Sequence, residues 1–113
     1  MITTATRSLL AAFALFATTT IAFADQIDGT WCSPSGQSIT IQGPRIVTPG
    51  GNVVKGRYNR HHADFELPEG EANSGSRMNA DQLNDEQIRV IVIGEEPSAN
   101  QPSGIWTRCQ VIS

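Results

Sequence analysis

The chain has two cysteines and two tryptophans, one of each near either end of its folded part: Gly29-Thr30-Trp31-Cys32 and Gly104-Ile105-Trp106-Thr107-Arg108-Cys109. In an exported protein such a pair reads as a single disulfide. A Cys32–Cys109 bond forces the first and last folded segments to lie side by side. It closes a loop of about 78 residues, for which the chain-entropy relation gives a stabilisation of about 4.5 kcal/mol.

Export is read from residues 1–24, MITTATRSLLAAFALFATTTIAFA. They hold one basic residue, Arg7, no acid, an apolar stretch from Leu9 to Phe23, and the small-x-small ending Ala22-Phe23-Ala24. This pattern predicts a secretory signal peptide. Thr18, Thr19 and Thr20 interrupt the apolar stretch, which makes it a poor membrane anchor, and no cysteine sits at the cut to take a lipid. The expected product is residues 25–113, one periplasmic or secreted domain acting as a monomer. A domain of this size buries only about 60–65% of its unfolded surface, so a covalent staple has much to contribute.

Eleven acids against eight Lys and Arg give −3, and removal of Arg7 with the leader makes it −4. That balance argues against nucleic acid or an anionic membrane as partner. The charge is lopsided. Residues 29–63 hold no acid but carry Arg45, Lys55, Arg57, Arg60, His61 and His62; most acids follow from Asp64 onward.

Turn residues recur every eight to twelve positions: Pro34-Ser35-Gly36, Gly43-Pro44, Pro49-Gly50-Gly51-Asn52, Pro68-Glu69-Gly70, Asn84-Asp85 and the polar run 94–104. Between them apolar and polar residues alternate, as in Ile39/Ile41, Val54/Tyr58 and Ala63/Phe65/Leu67. This spacing predicts strands with one buried face. Eight are expected, over 27–33, 37–42, 45–48, 53–60, 62–67, 75–83, 87–93 and 104–111, with a short helix over 79–88 as the rival reading of that stretch. Residues 88–93, Ile-Arg-Val-Ile-Val-Ile, are apolar on both faces apart from Arg89 and predict the most buried strand. Eight antiparallel strands joined by short turns close most economically into an up-and-down barrel, with a two-sheet sandwich as rival. In either, the disulfide staples the seam between the terminal strands.

Alternation puts Ile27, Gly29 and Trp31 on one face of the first strand and Cys32 on the other. If the cysteines are direct cross-strand partners, Trp31, Trp106 and Arg108 share a face opposite them. The last strand could equally bury Ile105, Cys109 and Val111, which leaves Trp106 open. Gly29-x-Trp31 opening the first strand, with Arg108 in the last, resembles the lipocalin and calycin pattern. That resemblance implies a barrel in which a basic residue from the chain end packs across the Trp, with Gly29, Trp31 and Arg108 in structural roles.

His62-x-Asp64-x-Glu66 places three potential metal ligands on one strand face, but alternate residues stand about 6.5–7 Å apart, too far to converge on one zinc. No metal and no cofactor is expected, and the face reads as solvated. His61 points the other way, toward Phe65. No nucleophile-elbow sequence accompanies Ser35 or Ser38, His61 and Asp64. The carboxylate pairs Glu69/Glu71 and Glu95/Glu96 sit in loops, and residues 49–56 lack the ending of a phosphate loop. The chain is therefore read as a non-enzymatic binding protein of the bacterial envelope. A small apolar ligand would be lined by Trp31, Tyr58, Phe65 and Met78. A protein partner would meet Arg45, Lys55, Arg57 and Arg60, in the envelope or in a host. Ser35-Gly36-Gln37-Ser38-Ile39 and Val54-Lys55-Gly56 also partly resemble motifs of bacterial inhibitors of c-type lysozyme, which implies inhibitory roles for Ser35 and Lys55.

Overall fold

The computed structural model describes residues 26–94 and 101–110. The expected leader, the middle of the polar run before residue 101, and Val111 lie outside the described residues. Among the described residues nine strands form: β1 (Gly29–Cys32), β2 (Ser38–Gln42), β3 (Arg45–Val47), β4 (Val53–Lys55), β5 (Arg57–Asn59), β6 (His62–Glu66), β7 (Arg77–Asn84), β8 (Gln87–Val92) and β9 (Gly104–Arg108). They make one antiparallel sheet in the order β4-β3-β2-β1-β9-β8-β7-β6-β5, curled into a nearly closed barrel. The stretch 79–88 is strand and turn, not helix.

The strand count is nine rather than eight because the strand expected over 53–60 breaks at Gly56. Its first half pairs with β3 and its second with β6. The Gly56 amide donates to Pro44 O at 2.8 Å, outside both ladders. A Cβ at this position would stand 2.5 Å from the Asp64 carbonyl oxygen and 2.5 Å from Ile46 Cδ1. Only glycine lets the chain cross this close to β6, and the crossing carries the sheet from one free edge to the other.

The interior is filled. Trp31, Phe65 and Met78 are buried together with Ile39, Ile41, Ile46, Ile88, Val90 and Trp106. Strand β8 is not buried on both faces: Ile88, Val90 and Val92 point in, while Arg89 and Ile91 are exposed, as is Ile93 just beyond the strand. A barrel wall has an outside, and alternation holds even through an apolar run.

The seam explains the paired tryptophans. Trp31 opposes Arg108 and Cys32 opposes Thr107, and Cys109 donates its N–H to Thr30 O at 3.0 Å. The cysteines are thus diagonal rather than direct partners, bonded with Cα atoms 5.0 Å apart on the outer face. Both indoles point inward. Each satisfies its N–H on a carbonyl four residues upstream, Trp31 on Ile27 O at 2.8 Å and Trp106 on Pro102 O at 2.7 Å. Ile105 takes the exposed face instead.

Candidate functional site

Antiparallel alternation sends four connections to one end of the barrel and three to the other. One end is sealed by the segment before β1. The Arg108 guanidinium lies 4.2 Å from the centre of the Trp31 ring. It donates to Asp28 O (2.9 Å), Gln26 O (2.9 Å) and Asp85 O (2.6 Å). Gly29 has φ +129°, and a Cβ there would stand 2.6 Å from Arg108 Nη1, so glycine serves both the backbone and the arginine. Beside it the Tyr58 hydroxyl donates to Asp28 Oδ1, whose other oxygen accepts from the Gly43 amide at 2.9 Å. Burial, and then the Asp28 carboxylate, push the Tyr58 phenol up to about 12.

The other end is open. The β1–β2, β3–β4 and β6–β7 loops and the residues before β9 surround a cleft of about 430 Å³. Leu67 and Met78 supply its apolar lining together with Pro49 and Pro102. The β6–β7 loop is held by one carboxylate. Glu71 accepts from the Thr48 hydroxyl, from the Gly50 amide at 2.8 Å and from the Asn52 side chain. A Cβ on Gly50 would lie 2.4 Å from the Glu71 carboxyl carbon, which explains the glycine in this turn. On the opposite side Gln37 is clamped by its backbone, accepting from Ser33 N at 2.8 Å and donating to Ser33 Oγ at 3.0 Å. Its side-chain oxygen is buried and accepts no hydrogen bond from the described residues.

Of the four residues expected to line a ligand, only Met78 borders this cleft. Trp31 and Phe65 belong to the packed interior, and Tyr58 belongs to the sealed end. Of the expected partner-binding residues, Arg45 and Lys55 face each other across β3 and β4 and are exposed. Ser35 sits in the β1–β2 loop, bonded to Ser33 Oγ at 3.0 Å. Arg60 lies in the β5–β6 turn, where its carbonyl accepts from Ile27 N. Arg57 belongs to a different cluster on the outer wall.

That cluster replaces the solvated face expected for His62, Asp64 and Glu66. Asp64 is buried on the outer wall, under Arg57 (Nε 3.0 Å) and Arg77 (Nε 2.7 Å). His62 bridges it to the next strand, with Nε2 2.7 Å from Asp64 and Nδ1 2.6 Å from Asp81. A neutral imidazole has one N–H, so two carboxylate partners are satisfied together only by the imidazolium. Burial pulls His62 down, but its hydrogen bonds to Asp64 and Asp81 outweigh it and raise the pKa above the usual 6.5. Burial likewise pushes Asp64 up, yet bonds from His62, Arg77 and Arg57 win and hold it at about 2. Among the described residues no group of His, Cys, Asp and Glu is placed to hold a metal. His61 does not point toward Phe65; it is exposed in the turn with Nδ1 3.0 Å from Gln82 Oε1.

A pH dependence follows from these two groups. Asp64 is depressed on folding, so its stabilisation of about 2 kcal/mol is present above pH 3.8 and disappears as pH falls toward about 2. His62 is raised, so its share is complete below pH 6.5 and disappears as pH rises through the folded value. The expected stability maximum lies in the weakly acidic range. Urea unfolding across pH 2–9 reads it. The Asp64→Asn variant loses the acid limb, and the His62 ring resonances then titrate at lower pH. A His62 titration midpoint below 6.5 in the unsubstituted protein contradicts this account.

Apart from Met78, the residues that shape the open end carry no signal in the sequence that marks them as a site. Gln37 reads as an ordinary strand residue and Glu71 as a loop acid. Their roles arise from contacts across long separations, such as Glu71 with Thr48 and Asn52, which leave no local periodicity. Neither a family model, nor a curated protein, nor a solved structure matches the chain.

Proposed function

We propose that the chain is an exported, non-enzymatic binding protein that holds a small ligand between the loops at the open end of its barrel. The observation that carries this reading is the contrast between the ends. One is sealed by Arg108 on Trp31, and the other opens on a cleft of about 430 Å³ above a filled core. Clefts of about 300–1,000 Å³ with an apolar floor and a few fixed polar groups are the usual form of small-molecule sites. The filled interior confines the ligand to the mouth. The lipocalin-like placement of Gly29, Trp31 and Arg108 at the sealed end is in keeping with this division of labour. The leader and the disulfide support a periplasmic or secreted setting.

Fragment screening against the ¹⁵N-labelled mature domain tests the reading. Binders are expected to shift the amides of Gln37, Asn52, Glu71 and Asn73 together, with dissociation constants in the millimolar to high micromolar range. Fragment shifts confined to the outer wall, or none at millimolar concentration, overturn it.

A further inference from the structure

We propose that this cleft selects small organic cations, an ammonium or similarly charged donor head carried on an apolar body. The inference rests on the open-end cleft being the binding site. Three independent features of the lining lead to it.

The lining is negative. Glu69 and Glu71 border the cleft, and among the described residues no Lys or Arg does. The partners of Glu71 are a hydroxyl, a backbone amide and a side-chain amide. These neutral donors fix the carboxylate in place without cancelling its charge. Glu69 stands exposed on the rim. A concave site bounded by low-dielectric walls focuses such a field on whatever enters.

The lining also holds an unused acceptor. The Gln37 side-chain oxygen is out of contact with solvent and has no donor. A buried polar atom without a partner is unfavourable, and a turn of the Gln37 side chain that brings its oxygen to a ligand N–H or O–H in the cleft removes that penalty. The Gln37 backbone is fixed beside the cleft by its two bonds to Ser33.

The third feature is apolar. Leu67 and Met78 are almost wholly buried yet border the cleft, so they offer hydrocarbon to the body of the ligand. An ammonium is a donor-only group with three N–H bonds and a positive charge. It answers both the carboxylates and the empty acceptor. A carboxylate head brings no donor at neutral pH, and a carboxylate or phosphate head meets two like charges.

Three probes of matched size and the same aromatic body separate the possibilities: phenethylammonium, 2-phenylethanol and 3-phenylpropionate. Each is titrated into the disulfide-bonded mature protein by calorimetry and ¹⁵N spectra. The cation is expected to bind about tenfold more tightly than the alcohol, as a charge-assisted hydrogen bond exceeds a neutral one, and the anion most weakly. Glu69→Gln, a substitution on the exposed rim that leaves the fold intact, weakens the cation about threefold and leaves the alcohol unchanged. Gln37→Met weakens both donors and not the anion. Equal affinity for cation and alcohol, or preference for the anion, overturns the selectivity while cleft shifts leave the binding reading standing. Absence of cleft shifts with all three probes overturns both.

Discussion

Reduction of the Cys32–Cys109 bond is expected to lower the unfolding free energy by about 4.5 kcal/mol. The reasoning rests on the unfolded chain. The bond spans a sequence separation of 77 residues, so opening it frees nearly the whole domain once unfolded. The folded seam does not depend on it. Strands β1 and β9 are already joined at Trp31–Arg108 and Cys32–Thr107, with Cys109 bonded to Thr30 O. The reduced protein should therefore keep its native ¹⁵N spectrum without denaturant and lose its urea midpoint. The Cys32→Ser/Cys109→Ser variant should lose the same amount and be insensitive to reductant. A drop under 1 kcal/mol (about fivefold in the unfolding constant) contradicts the entropic account. Because small domains have only about 5–15 kcal/mol in total, the reduced form should be marginal at 37 °C.

The second large effect is expected at Trp31. Trp31→Ala removes a fully buried indole and should cost about 3–5 kcal/mol. The loss reaches beyond the core. Arg108 loses the ring it lies over, while Ile27 O loses its donor. Trp31→Phe separates these contributions, since it keeps an aromatic face and drops the N–H. It should cost about 1–3 kcal/mol, the penalty for one unsatisfied buried group. Equilibrium urea unfolding of both variants measures the difference. A loss of less than about 1.5 kcal/mol for Trp31→Ala shows that the sealed end does not depend on this ring. Arg108→Lys keeps the charge but loses the planar fork that spans Asp28, Gln26 and Asp85. It should fall between the two.

Much of the fold is legible in the chain because it is written locally. Turn residues at short intervals and apolar residues at alternate positions specify strands, and Gly56 between Lys55 and Arg57 is the one break that alternation hides. Pairing of the termini is legible because two cysteines have only each other. The inward aim of Trp106 was not, since either face of its strand carries apolar residues. Packing decides it, because a barrel interior accepts one face and Trp106 finds Pro102 O there for its N–H. The outer-wall cluster was also invisible. Asp64 is buried on the outside only because Arg57 and Arg77 reach over it from the neighbouring strands.

The residues alone therefore determined the all-β character, the staple between the ends and the acidic balance of the chain, since strand alternation, turn chemistry and charge are properties of neighbouring positions. Tertiary structure alone decided which end is sealed and which is open, that Glu71 pins a loop to Thr48 and Asn52, and that the Gln37 oxygen is left without a donor. Those outcomes depend on side chains tens of residues apart meeting at one place, and local patterning carries no record of which distant partners a closed sheet will bring together.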